Sequence, residues 1–187
     1  MVELQTWYDA QREERKFHCD EFDPGFFKYG FVYDQYFKYL DIKLDQNGKK
    51  IVEIGPADFP ALAYCNNYSK DSYVIEPMPS EHLKRSGIKI VDRPAENVNI
   101  EADEVWLMNV LQHVIDPHKI VERAKKAKVV RFFEPINYGV DECHLWNLTT
   151  GMFKEWFGDC VNYYPKNNNY INFHQWECAY GVYVNVQ

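Results

Sequence analysis

No apolar run in this sequence approaches the about 20 residues that cross a bilayer. Its first residues, Met1-Val2-Glu3-Leu4-Gln5, are polar, and Arg12, Glu13, Glu14, Arg15 and Lys16 follow where a secretory signal would be apolar. No membrane association is expected, and the expected location is cytoplasmic. Its five cysteines (Cys19, Cys65, Cys143, Cys160 and Cys178) include no C-x-x-C pair and no framework spacing, which argues for free thiols in a reducing compartment. Cations are scarce, with 21 Lys and Arg against 28 Asp and Glu and a net charge of −7. That balance repels phosphate backbones and disfavours nucleic acid as a partner. Lys125, Lys126 and Lys128 form the densest basic cluster and read as a solvated helix end. Cys143, His144, His113, His118 and Cys160 lack metal-ligand spacing, so no metal is expected. The chain has no internal repeat, only 9 glycines, and no G-x-G-x-x-G.

What is present suits one folded domain: 187 residues, 46% of them hydrophobic. Aromatic residues reach 17% and crowd the first forty positions. Residues 1–45 read as an aromatic-rich helical N-terminal cap. Within it Tyr33, Tyr36, Phe37 and Leu40 recur at i, i+3, i+4 and i+7, one face of a helix, and Asp23-Pro24-Gly25 breaks the chain before it. Trp7, Tyr8, Phe17, His18, Phe26, Phe27 and Tyr29 are candidates for a lid over a ligand crevice.

Residues 46–187 read as the main domain, in which short apolar runs alternate with helical stretches. Strands are expected at 50–54, 72–76, 88–92, 104–108 and 128–133, with helices at 58–66, 79–86 and 117–126 between them. A helix at 149–156 and two further strands, 161–164 and 176–186, close the chain. Alternating strands and helices imply a parallel sheet with helices on both faces. The last two strands are separated by too short a loop for a crossover and should pair antiparallel. The expected fold is therefore α/β and Rossmann-like: seven strands, mostly parallel, with an antiparallel last strand.

In such a sheet ligands bind beyond the carboxyl ends of the strands. Glu53-Ile54-Gly55-Pro56-Ala57-Asp58 follows the first strand, where a helix start would offer free N–H groups to a ligand. Glu76 ends the second strand, and a carboxylate there can accept from both hydroxyls of a ribose. Asp92-Arg93-Pro94-Ala95-Glu96-Asn97, after the third, can edge an adenine. Asn109 and His113 follow the fourth. Together these ask for an adenosine-containing ligand. A dinucleotide is opposed by the missing glycines, by Pro56, which has no N–H, and by the charge of Asp58. A methionine ammonium would be favoured near Glu53 or Asp58, so the loop favours S-adenosylmethionine.

Over roughly residues 50–186 the chain resembles the class I S-adenosylmethionine-dependent methyltransferases. The resemblance is carried by Val52-Glu53-Ile54-Gly55-Pro56-Ala57, by Tyr73-Val74-Ile75-Glu76-Pro77, by Val91-Asp92-Arg93-Pro94-Ala95-Glu96, and by Trp106-Leu107-Met108-Asn109-Val110-Leu111-Gln112-His113-Val114 with Asp116-Pro117 after it. It implies S-adenosylmethionine as cofactor and methyl transfer to a small-molecule acceptor. Carried over by position, Glu53, Gly55, Pro56 and Ala57 would line the methionine end, Glu76 would hold the ribose, Ala95 and Glu96 would border the adenine, and Asn109 would flank the methionine moiety. His113 and His144 are the candidate bases, with Glu134 and Tyr138 as neighbours. The departures from the family's pattern, Pro56-Ala57 for its second loop glycine and Pro94 for an acidic residue, support an alternative. That alternative is a methyltransferase-like module that has lost catalysis and holds a ligand or partner.

Overall fold

A computed structural model describes residues 2–19, 26–166 and 176–186, without the side chains of 17–19 and 26–32. Seven strands form one sheet: β1 (Ile51–Ile54), β2 (Tyr73–Ile75), β3 (Lys89–Val91), β4 (Glu104–Met108), β5 (Val129–Pro135), β6 (Asn162–Tyr164) and β7 (Cys178–Val184). Their order is β3-β2-β1-β4-β5-β7-β6. β1 to β5 pair in parallel, and β7 runs antiparallel to both β5 and β6. This is the expected sheet, with its antiparallel last strand inserted between β5 and β6.

The helices are α1 (Leu4–Cys19), α2 (Phe26–Tyr39), α3 (Glu81–Arg85), α4 (Pro117–Ala124) and α5 (Thr150–Phe157). Alternation along the strands sends neighbouring side chains into two cores. Val52, Ile54, Val105, Leu107, Val130 and Phe132 meet Ile120, Val121 and Ala124 of α4 and Phe153, Trp156 and Phe157 of α5. Ile51, Val74, Trp106, Met108 and Phe133 meet Tyr33, Tyr36 and Phe37 of α2 and Leu40 just beyond it. The helical stripe read from the sequence is thus the face that α2 packs on the sheet.

Local chemistry sets the helix starts. The Asp116 side chain accepts from the Lys119 amide with Pro117 at the first turn, Thr149 from Met152, and Ser80 from Leu83. The crossover after β1 differs from expectation. In place of a helix over 58–66 there is one 3₁₀ turn at Ala61–Tyr64. Pro56 and Pro60 cannot donate to a helical ladder, and Ala57 takes a left-handed φ of 53°. The helical backbone therefore begins only at Ala61, after the extended Pro60, and it ends at Tyr64 because Cys65 returns to extended backbone.

Glu104, at the start of β4, ties the cap to the sheet. It accepts from Arg131 Nε at 2.7 Å, from Lys49 Nζ at 2.6 Å and from Trp106 Nε1 at 3.2 Å. Burial opposes its ionisation, but Arg131, Lys49 and Trp106 outweigh that and hold the carboxyl below its usual range. Arg131 also donates to the Leu40 carbonyl, just past the end of α2. Removing one member of a buried pair strands the other's charge. Arg131→Ala is expected to cost about 3 kcal/mol of stability, measured by urea unfolding.

Candidate functional site

A cavity of about 290 Å³ opens over the carboxyl ends of β1, β2 and β4. That lies near the lower end of the about 300–1,000 Å³ of small-molecule sites. Glu53, Gly55, Pro56, Ala57, Glu76, Ala95, Glu96 and Asn109, spread over four loops, all line it, and so does His113. His144 does not.

Gly55 ends β1 at φ 64°, and a Cβ there would stand 2.2 Å from Val110 Cγ2. Only glycine allows the two loops to approach this closely. Glu53 projects from β1, and its two oxygens accept from the amides of Ala61 (2.8 Å) and Leu62 (2.9 Å). The N–H groups expected to face a ligand after β1 are therefore engaged by the protein's own carboxylate. Glu76 ends β2 and accepts from the Met78 amide at 3.1 Å. Burial pushes its carboxyl up, against the pull of the Met78 amide and the Arg15 charge.

The remaining wall is held in the same way. Glu96 accepts from the amides of Ile115 (2.8 Å) and Asp116 (3.0 Å). Glu134, fully buried at the end of β5, accepts from those of Val110 (2.9 Å) and Leu111 (3.0 Å). Asn109 sits between them at φ 59°, its Oδ1 accepting from Gln112 Nε2 at 3.1 Å. Burial raises Glu53 to about 7 and Glu134 to about 8, although two backbone amides oppose the shift in each.

The two N-terminal helices complete the enclosure. Trp7, Gln11, Glu14 and Arg15, spaced as one stripe of α1, line the cavity, as do Tyr33 and Tyr36 of α2. Trp7 Nε1 and Gln11 Nε2 both donate to the His113 carbonyl, at 2.9 and 3.0 Å. Tyr8 packs edge-on against Trp7, their centroids 4.9 Å apart. Phe17, His18, Phe26, Phe27 and Tyr29, the other expected lid residues, lie outside the described side chains. The stripe of α1 has the spacing i, i+4, i+7, i+8, but three of its four members are polar, so hydrophobic periodicity does not mark it.

The two histidines occupy different places. His113 Nδ1 lies 3.0 Å from the Cys143 carbonyl, and its Nε2 lies 3.1 Å from Gln112 Nε2. A proton on Nδ1, donated to the Cys143 carbonyl, leaves Nε2 to accept from the Gln112 amide. His144 packs against His113 with the rings tilted by 44° and their centroids 4.7 Å apart, and it also contacts Tyr138. Its Nδ1 is held by both oxygens of Asp141, at 2.7 and 2.8 Å. Among the described residues no group of three or more His, Cys, Asp or Glu could hold a metal ion, and no helix is long and apolar enough to cross a membrane.

No known family profile and no curated protein matches the sequence. Solved structures do match. N-methyltransferase NodS from Bradyrhizobium japonicum WM9, in complex with S-adenosyl-L-homocysteine, aligns over 97% of this chain and 99% of its own with a TM-score of 0.64 at 13% identity. A chain from the complex of the Haloferax volcanii Trm112 methyltransferase activator with a putative methyltransferase aligns over 100% of both chains, with a TM-score of 0.63 at 12% identity. The 1,6-didemethyltoxoflavin-N1-methyltransferase of Burkholderia thailandensis, with bound 1,6-didemethyltoxoflavin and S-adenosylhomocysteine, aligns over 97% and 90% with a TM-score of 0.63 at 11% identity. The likeness is one of fold: the sheet and helices are those of class I S-adenosylmethionine-dependent methyltransferases.

Two outcomes are expected from this geometry. Gly55→Ala should destabilise the protein by about 1–3 kcal/mol through overpacking and a strained φ, and Val110→Ala in the same chain should recover part of that in denaturant unfolding. Glu53 and Glu134 bind protons more tightly folded than unfolded, so no penalty exists below about pH 4.5 and one grows as pH rises through about 7 and about 8. The melting temperature should decline from about pH 5 to about pH 8, and Glu134→Gln should flatten that decline.

Proposed function

We propose that this chain is an S-adenosylmethionine-dependent methyltransferase acting on a small, planar acceptor. The observation that carries the reading is Glu76: a buried carboxylate at the end of β2, facing a cavity over the strand ends, in a fold whose relatives were crystallised with S-adenosylhomocysteine. The surroundings fit the cofactor. Glu76 can accept from both ribose hydroxyls, Ala95 and Met78 offer apolar surface to a flat base, and Gly55 keeps the β1 loop low enough for a ligand to lie across it. Glu53 and Glu96 also line the space, holding its walls in place through the amides they engage.

When bound, the cofactor supplies a methyl group on a sulfonium, which passes in line to a nucleophilic atom of the acceptor and leaves a thioether. The chain's own contribution is alignment and exclusion of water. Trp7, Tyr33 and Tyr36 give the acceptor side aromatic walls, suited to a planar molecule. The toxoflavin enzyme of the same fold, crystallised with its small heterocyclic acceptor, supports a small-molecule substrate. His113 is the histidine that reaches the cavity and could contact an acceptor. His144, oriented by Asp141 and packed against His113, is a positioning residue in this reading. Residues 1–45 act as the cap and 46–187 as the cofactor-binding domain.

A second reading, a ligand-holding module without catalysis, is favoured by one observation: after β1, Pro56 lacks an N–H and Glu53 engages the Ala61 and Leu62 amides. Calorimetric titration with S-adenosylmethionine, S-adenosylhomocysteine and NAD separates the possibilities. Saturable binding of the two sulfur ligands and not of NAD is expected, and Glu76→Ala should weaken it about 10- to 100-fold, the value of hydrogen bonds to a charged acceptor. Failure of a folded protein to bind either sulfur ligand would overturn the proposal. Binding without turnover across an acceptor screen would favour the module.

A further inference from the structure

The charge lining the cavity is lopsided. Glu14, Glu53, Glu76 and Glu96 face it, and among the described residues Arg15 is the one fixed cation that does. Backbone donors are equally scarce. The amides of Ala61 and Leu62 are engaged by Glu53, those of Val110 and Leu111 by Glu134, those of Ile115 and Asp116 by Glu96, and that of Met78 by Glu76. The Gly55 amide donates to the Ile75 carbonyl and the Asn109 amide to that of Phe133. Pro56, Pro77 and Pro94, also in the lining, have no amide hydrogen. Among the described residues, an anionic group entering here therefore meets no cradle of free N–H groups. The crossover that could have ended in a helix N-terminus is one 3₁₀ turn, already capped by Glu53.

Arg15 is placed to meet such a group. It sits on the cavity stripe of α1, and its Nη1 lies 3.4 Å from Asp58 Oδ1, a long contact made by one nitrogen of a guanidinium that carries five donors. Its planar fork matches a carboxylate bidentately. We propose that Arg15 receives the carboxylate at the methionine end of S-adenosylmethionine and thereby ties the seating of α1 to cofactor binding. The inference rests on the reading of the preceding subsection. Trp7, Gln11 and Glu14 ride on the same stripe, so the helix that Arg15 anchors also carries part of the acceptor wall. The cofactor then binds first and finishes the acceptor site.

Calorimetry with S-adenosylmethionine and decarboxylated S-adenosylmethionine, on the wild-type chain and on Arg15→Gln and Arg15→Lys, tests this. Wild type should favour the carboxylate-bearing ligand by about 10- to 100-fold, the range for hydrogen bonds between charged groups. Arg15→Gln should bind both ligands alike, and Arg15→Lys, with charge but no fork, should fall between. Amide hydrogen exchange across residues 4–19 should slow with S-adenosylmethionine in wild type, and neither with the decarboxylated ligand nor in Arg15→Gln. Equal affinity of wild type for the two ligands would overturn the proposal even if Arg15→Gln fails to fold. So would full discrimination in Arg15→Gln, which would send Arg15 to the acceptor instead. If folded wild type binds neither S-adenosylmethionine nor S-adenosylhomocysteine, it is the methyltransferase reading that fails, and this inference falls with it.

Discussion

A buried carboxylate set against two consecutive backbone amides is the interaction on which the cavity depends. Among the described residues it occurs three times: Glu53 on Ala61 and Leu62, Glu96 on Ile115 and Asp116, Glu134 on Val110 and Leu111. Each carboxylate comes from one loop or strand end and fixes another segment, so together they cross-link the walls around the space. A buried carboxyl without such partners would be costly, and paired amides offset much of that cost. The raised proton affinity of Glu53 and Glu134 is the part that remains. On its sheet side the turns of the site are bound to side chains, not merely packed.

The opposite side is built differently. α1 reaches the domain by burying Trp7 and Ala10 and through a few polar contacts, Trp7 and Gln11 on the His113 carbonyl and Arg15 on Asp58. α2 instead buries Tyr36 and Phe37 against Trp106 and Phe133 and has Arg131 at its end. One helix belongs to the core, and the other rests on the cavity. That contrast is what a site needing both a fixed cofactor bed and an accessible acceptor side would require.

Much of the fold is legible in the sequence because it rests on periodicity. The strand at 104–108 is read with its true bounds, since Glu104 and Asn109 flank a wholly apolar run, and the final hairpin follows from loop length alone. The eight expected cofactor residues converge on one cavity because strand ends in a parallel sheet must. What escapes the sequence is partnership. Nothing in Val52-Glu53-Ile54 says that Glu53 turns to an amide pair, and nothing in the residues after it says that the backbone is extended again at Cys65, leaving one turn of an expected helix. His144 reads as a cavity residue by its place in a long loop, yet the loop folds so that His113 stands in front of it. Arg15 reads as one charge in a run of charges, because only the tertiary position of α1 separates the cavity-facing stripe from the solvated one.

The carboxylate–amide pairs also bear on how this sequence can change. A backbone amide is offered by every residue except proline, so Ala61, Leu62, Val110, Leu111, Ile115 and Asp116 donate regardless of what their side chains are. At the donor positions the hydrogen bonds around the cavity therefore ask for no particular side chain, only for the three glutamates opposite and the exclusion of proline, while Gly55 remains fixed by its approach to Val110. Divergence can run far through these loops while their shape is kept. Relatives that share the site should be recognised by acids at the ends of strands and an amide pair opposite each, a pattern in geometry that few fixed letters record.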